Sequence, residues 1–158
     1  MNIFVLDESP RLAAQYHCDN HVVKMVLESA QILCSVHHIY DSKIRNQYKP
    51  THLNHPCVIW AAENDKNYYW LWCLFYWLSR EFQFRYDKTH LSTTKLITST
   101  QEAPVGIPIV EKVKDFAMAM PEQYWRENTI DAYREYYKNE KRHIAYWERS
   151  ITGKPYWW

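Results

Sequence analysis

The apolar run near the middle of the chain decides the fold class; it reads Tyr68-Tyr69-Trp70-Leu71-Trp72-Cys73-Leu74-Phe75-Tyr76-Trp77-Leu78. A helix that is hydrophobic on every side is buried, whereas a surface helix has one polar face. The run is also shorter than the roughly 20 apolar residues that cross a bilayer. It therefore predicts a buried central helix within a helical stretch over residues 55–86, with a bend near residues 63–66.

Helical patterns continue on both sides of this run. Ser9 and Pro10 start a helix, with serine as the N-cap and proline in the first turn. Apolar spacing extends it to about Tyr40, with a break near residues 19–20. A short helix is expected over residues 89–99, and a last one from residue 128 or 129 to about 147. Residues 1–6 form a short strand or an extended arm, so residues 1–158 are expected to be one all-α domain.

The composition excludes several classes of nucleotide-binding enzyme. The chain has 2 Gly, against 8 Trp, 13 Tyr and 5 Phe. Phosphate-binding P-loops and dinucleotide fingerprints each need several glycines within a short span, so neither is present. A nucleotide bound here is held by side chains and helix ends.

Charge and cysteine usage narrow the class further. The chain carries 19 Lys and Arg against 18 Asp and Glu, which argues against a uniformly basic nucleic-acid coat. Its 4 cysteines include no C-x-x-C pair, a pattern typical of reduced, buried thiols in a cytosolic protein. Nothing in the pattern implies a cofactor or a membrane partner.

Polar side chains recur on one face of the first long helix, at spacings of three and four residues: His17, His21, Lys24, Glu28, Gln31, Ser35 and His38. Two interpretations are open. The stripe is either an ordinary solvent-facing surface or the wall of a catalytic site, in which Lys24 and Glu28 tune each other.

A metal site is a further alternative for the same helix. His17 and His21 are four residues apart, which suits two ligands of one metal ion. Cys18 stands where an H-E-x-x-H motif has glutamate, so that motif is absent. A third ligand has to come from His52, His55 or Glu28.

The loop around residue 50 predicts an anion site. Lys49, His52, Asn54 and His55 cluster before Pro56, and Asn54 or Thr51 is expected to cap the helix that follows. Cationic side chains beside free amides of a helix end suit a phosphate. Lys88 and His90 repeat the pattern. The alternative is a rigid polar loop whose prolines only direct the chain.

The last helix combines basic and aromatic residues. Arg134, Lys138 and Lys141 lie broadly on one side, next to a face that contains Tyr137. Basic residues beside aromatic rings suit phosphate neutralisation together with base stacking. In the alternative, the tyrosines pack inward and the charges are simply solvated.

Several segments resemble a group of small phage-encoded proteins. That group has no assigned chemistry, so the resemblance implies a phage-type protein in the host cytoplasm and no particular reaction. The matching segments cover most of the chain: residues 1–7, 17–25, 28–31, 54–57, 86–90, 132–134 and 136–137.

Two shorter segments resemble the pyrimidine-dimer DNA glycosylases of the phage endonuclease V type. They are Leu12-Ala13-Ala14-Gln15 and the aromatic and basic residues 133–138. The resemblance implies base excision and strand cleavage by an N-terminal amine, on Met1 or Asn2, assisted by a glutamate. That family removes methionine to expose a small residue, whereas Asn2 is large. Its glutamate position is occupied here by Val23, and the nearest glutamate is Glu28.

Three functions follow as hypotheses. The first is a DNA glycosylase and AP lyase whose candidate catalytic residues are Met1, Asn2, His17, His21, Lys24 and Glu28. The second is a non-enzymatic protein that binds DNA or a nucleotide ligand, such as a phage counter-defence protein that sequesters a signalling nucleotide. The third is a metal-dependent phosphoester hydrolase built on His17 and His21.

Overall fold

A computed structural model of the protein describes all 158 residues and contains six α-helices and no strands. The helices are α1 (Pro10–Tyr16), α2 (Asp19–Ile39), α3 (Pro56–Ala62), α4 (Asp65–Tyr86), α5 (Leu91–Leu96) and α6 (Thr129–Glu140). A 3-10 turn spans Glu122–Tyr124. The predicted helical class is confirmed. None of the helices combines the length and the apolar character needed to cross a membrane.

The core forms where α2 and α4 pack together, with α1 and α3 against them. In α4 the apolar run contributes Trp70, Leu74 and Phe75 to one cluster of 35 buried residues. Its other side, which includes Trp72 and Tyr76, reaches the surface. Helix α2 is buried more completely than α4, so the domain is organised around two helices.

The predicted break in the first long helix is confirmed at residues 17–18, between α1 and α2. The fully buried guanidinium of Arg85 fills this break. It donates to the carbonyl oxygens of Gln15 (3.0 Å) and His17 (2.8 Å) and to the carboxylate of Asp19 (3.1 Å). Carbonyls at a helix C-terminus lack intrahelical partners, so the buried arginine satisfies groups that the break exposes.

Residues 1–6 form an extended arm and no strand, which settles the alternative left open by the sequence. The arm is almost entirely buried, with Ile3, Val5 and Leu6 fully inaccessible. The rings of Tyr136 and His21, from α6 and α2, both stack on Phe4. The arm therefore lies between α2 and α6, which are far apart in the sequence.

The last helix ends at Glu140, so its predicted extension to residue 147 is wrong. The chain turns there and buries Trp147, whose indole N–H donates to the carbonyl oxygen of Tyr16 at 3.0 Å. Seven more helical residues would have carried Trp147 about 10 Å farther along the axis of α6. Packing at the junction of α1 and α2 outweighs the helical periodicity of this segment.

Three histidines are buried without any charged partner. Burial lowers the pKa of His17 to about 4, that of His21 to about 3 and that of His37 to about 4. His37 lies between two hydroxyl groups, those of Ser42 and Tyr68, at 2.8 and 2.9 Å. Because Tyr68 donates its own proton to the carbonyl oxygen of Thr100, the imidazole of His37 donates to Tyr68 and accepts from Ser42.

We expect the protein to lose stability as the pH falls from about 6.5 toward 4. These histidines bind protons in the unfolded chain below about pH 6.5 and in the fold only near the lowered values, so acid favours unfolding. Each contributes a loss of about 2 kcal/mol at pH 5 relative to neutral pH. Urea unfolding at pH 7.5, 6 and 5 measures it, and His37→Gln should reduce the pH dependence by about a third. A free energy of unfolding that is equal at pH 7.5 and pH 5 would contradict the prediction.

Candidate functional site

The carboxylate of Glu28 is the centre of the candidate site. It lies on α2, is 10% exposed, and receives the backbone N–H of Asn2 on Oε2 at 2.8 Å. The α-amine of Met1 lies 3.9 Å from the same oxygen, and Nζ of Lys24 lies 3.4 Å from Oε1. A buried carboxylate is expensive unless it is paired, so these three donors explain why it is tolerated.

Met1 presents its backbone end to solvent. Its side chain is 3% exposed and packs against the core, although the residue as a whole is only half-buried. The accessible surface of Met1 is therefore mainly backbone, which includes the α-amine. Loss of Met1 would make the nitrogen of Asn2 the new α-amine, and this nitrogen already contacts Glu28.

Asn2 fixes the direction in which the arm enters the site. Its side-chain oxygen accepts from the backbone N–H groups of Ile3 (2.7 Å) and Phe4 (3.0 Å), and its amide donates to the carbonyl oxygen of Ala119 (2.7 Å). Phe4 adopts a left-handed conformation with φ of +40°. A non-glycine residue in this region is strained, and such strain persists only where the surroundings enforce it.

The loop before α3 reaches the same place. Ser35 on α2 exchanges two hydrogen bonds with the backbone of Thr51, each 3.2 Å long. Four residues later, His55 lies beside the α-amine of Met1 and within electrostatic range of Glu28. The two predicted constellations, on the first long helix and in the residue-50 loop, therefore meet at the N-terminus of the chain.

The rest of the predicted anion loop is mostly exposed. Lys49, His52 and Asn54 all reach solvent. His52 has a left-handed backbone with φ of +51°, and its Nδ1 lies 2.6 Å from the hydroxyl oxygen of Thr51. The predicted helix cap is wrong, because His55 caps α3 in place of Asn54 or Thr51. An imidazole nitrogen is an acceptor that the residue-type preferences for N-caps did not anticipate.

The predicted polar stripe is only partly correct. His17 lies in the break before α2, so it does not share a helix with the other members, and it is fully buried. His21 is 5% exposed and stacks on Phe4. Nε2 of His17 and Nδ1 of His21 have no hydrogen-bond partner. These two histidines belong to the core, and the exposed part of the stripe is Lys24.

The structure does not assemble the ligands that the metal hypothesis requires. No group of three or more histidine, cysteine, aspartate or glutamate side chains is arranged to hold a metal ion. Glu28 is engaged by the N-terminal arm and Lys24, and Nδ1 of His55 accepts from the backbone N–H of Cys57 at 3.1 Å.

The predicted nucleic-acid residues of α6 separate into two sets. Tyr137 is fully buried, and its hydroxyl accepts from the N–H of Cys18 at 3.0 Å, so it does not offer a stacking surface. Arg134 donates to the carbonyl oxygen of Leu6 at 3.0 Å and lies over the rings of Tyr156 and Trp157. Both residues hold elements of the fold together.

Lys138 and Lys141 reach solvent in different settings. Nζ of Lys138 lies 3.5 Å from the carboxylate of Glu135. Nζ of Lys141 has no carboxylate partner and lies 5.0 Å from the centre of the Tyr136 ring. Lys141 and Lys24 both lower the pKa of the buried His21, after the larger effect of burial, so both cations face the same part of the molecule.

The second predicted anion pair does not join this site. His90 caps α5, and its ring packs edge-on against Phe82 at 5.0 Å between centroids. Lys88 is exposed. This pair lies just beyond α4 at the other end of the helical stretch, and nothing in its contacts connects it with Glu28.

Comparison with protein-family models, with curated proteins and with solved structures finds no match for this chain. The interpretation of the site therefore depends on its own geometry and chemistry.

Sequence reasoning missed the structural part that Asn2 and Phe4 play. Asn2 was identified only as a candidate nucleophile, although its side chain makes the three hydrogen bonds that shape the arm. Asparagine is known for capping its own following backbone, which is the signal available in the sequence. Nothing local to the sequence indicates the left-handed backbone of Phe4.

We expect Asn2→Ala to lower the free energy of unfolding by about 2 kcal/mol or more, because it leaves buried N–H and carbonyl groups unpaired. Asn139→Ala is the matched control: Asn139 also donates to a backbone carbonyl but is exposed, so its loss should cost less than about 0.5 kcal/mol. Chemical denaturation of both variants measures the difference. Equal losses would show that the arm is not held by Asn2.

Proposed function

We propose that the protein is a DNA glycosylase with AP lyase activity, and that the α-amine of Met1 is its nucleophile. The observation that carries the proposal is the α-amine of Met1 at 3.9 Å from the carboxylate of Glu28. Pairing of a nucleophile with a group that accepts and returns its proton is the arrangement that covalent catalysis requires.

The other nucleophiles nearby are less suitable. Cys57 is fully buried, and burial raises its pKa to about 12, so it stays a thiol at neutral pH. An α-amine has a reference pKa of about 8, compared with about 10.4 for a lysine side chain. At neutral pH, a much larger fraction of α-amines than of lysine side chains is therefore unprotonated and able to attack an electrophilic carbon.

The chemistry proceeds in two stages. The α-amine attacks the sugar C1′, the bond from C1′ to the base breaks, and its electron pair leaves with the base, which takes up a proton. The sugar ring opens to an imine between the amine and C1′. Removal of a C2′ proton then expels the 3′-phosphate, whose oxygen takes the electron pair of the broken C3′–O bond.

Glu28 has two tasks in this scheme. Its carboxylate takes the proton that the amine loses on attack, and its negative charge stabilises the positive charge that develops at C1′. The backbone N–H of Asn2 and the ammonium group of Lys24 occupy defined positions on its two oxygens. The carboxylate is therefore oriented before the substrate arrives.

The surroundings of the amine suit a polyanionic substrate. Lys24 and Lys141 lie toward α6, and His52 is exposed on the loop side. Exposed cations beside the site neutralise phosphates of the DNA backbone. A target sugar inside a duplex is out of reach of an amine on the protein surface, so the nucleotide has to rotate out of the helix.

We expect borohydride to trap a covalent adduct between the protein and duplex DNA that contains an abasic site or a pyrimidine dimer. Hydride reduces the imine to a stable amine, and peptide mapping should place the DNA on the N-terminal residue. Glu28→Gln should slow trapping by about a hundredfold, because general acid–base assistance contributes at least that much.

Two controls make this test specific. Glu135→Gln removes a glutamate that pairs with Lys138 outside the site, and it should trap DNA at the native rate. One residue added before Met1 displaces the amine and should abolish trapping without changing the thermal melting temperature. An adduct that maps to Lys24, or DNA binding with no adduct at all, would contradict the proposal. The second outcome would favour a binding protein without catalysis.

We expect Lys141→Gln to weaken binding of duplex DNA and to reduce the slope of log affinity against log salt by about 1, since one phosphate contact is lost. Lys138→Gln is the matched control on the same helix, because its ammonium group is already paired with Glu135. Fluorescence anisotropy at several salt concentrations measures both. Equal effects of the two substitutions would contradict a phosphate contact at Lys141.

A further inference from the structure

His55 has two sets of contacts. Its Nδ1 accepts the backbone N–H of Cys57 at 3.1 Å and so caps α3. A nitrogen that accepts carries no hydrogen, so the neutral ring has its proton on Nε2. The ring also lies against the backbone of Met1, beside the α-amine and Glu28. His55 therefore connects the start of α3 with the start of the chain.

His90 reproduces the first set of contacts and lacks the second. Its Nδ1 accepts the backbone N–H of Ser92, also at 3.1 Å, and so caps α5. The backbone angles of the two histidines are nearly equal, with φ and ψ of −73° and 137° for His55 and −67° and 139° for His90. The two differ in what the rest of the ring touches, which is Phe82 for His90. Capping alone therefore does not require that the ring lie against Met1.

We propose that His55 is a positioning residue that holds Met1 so that its α-amine faces Glu28. This inference rests on the proposed function for its catalytic consequence, although its geometric content does not. Glu28 fixes Asn2 through the backbone N–H, and the side chain of Met1 is buried. One remaining rotation, about the backbone of Met1, decides where the amine points, and the ring of His55 packs beside that bond.

The charges around the ring keep it neutral in this role. Burial lowers the pKa of His55, the α-amine of Met1 and the imidazole of His52 lower it further, and Glu28 raises it. Lys24 is the other charged group of the cluster, on the far oxygen of Glu28. Protonation of His55 would place a hydrogen on Nδ1, where the N–H of Cys57 already points, and a second positive charge beside the amine.

The test compares His55→Asn with His90→Asn. Asparagine is a good N-cap, so both variants keep their helix caps, and only His55→Asn removes the ring beside Met1. The first readout is borohydride trapping on abasic DNA. We expect His55→Asn to lower its rate at saturating DNA by about tenfold or more, because misplacement by about 1 Å costs up to about a hundredfold. Affinity for DNA should stay unchanged in both variants.

The second readout needs no DNA and separates this inference from the proposed function. Formaldehyde with cyanoborohydride methylates the α-amine, and mass spectrometry of the N-terminal peptide gives the rate between pH 5 and 8. We expect the pH profile to change in His55→Asn and to match the native profile in His90→Asn. Equal profiles in all three proteins would overturn the positioning role. If the native protein traps no DNA, the proposed function fails while the methylation profile still decides the role of His55.

Discussion

The arrangement of the molecule depends on one buried carboxylate. Glu28 is on the most buried helix, and the energetic cost of burying its charge is offset by the N-terminal arm and by Lys24. The arm can reach Glu28 only by running between α2 and α6, where Phe4 packs against rings from both helices. The position of α6, the strained backbone of Phe4 and the turn after Glu140 all accommodate that path. The same interaction brings an amine to a carboxylate.

Much of the fold was predictable from local sequence. The apolar run in α4, the cap formed by Ser9 and Pro10 and the break before Asp19 each express a preference of nearby residues, and each was found in place. The predictions failed where distant contacts decide. Trp147 leaves the helical path to pack at the junction of α1 and α2, and His17 turns inward because the helix breaks beneath it.

The candidate site was predictable only in part. Spacing placed Glu28 and Lys24 on one face, and the loop around His55 was recognised as a separate cluster. That the two meet depends on Ser35 pairing with Thr51, which no local pattern encodes. Aromatic and basic residues of α6 matched a nucleic-acid surface in sequence, yet Tyr137 and Arg134 are used inside the fold. Periodicity identifies the face of a helix and leaves open which neighbour covers it.

The arm and α6 come from opposite ends of the chain. Arg134 donates to the carbonyl oxygen of Leu6 across 128 residues, and Tyr137 accepts from Cys18 across 119. Contacts of such sequence separation form late in folding, because closure of a long loop precedes any stabilising interaction. During synthesis the first residues leave the ribosome long before α6 exists. The amine and the carboxylate are therefore brought into register only when the chain is nearly complete, and a partly made protein has no assembled site.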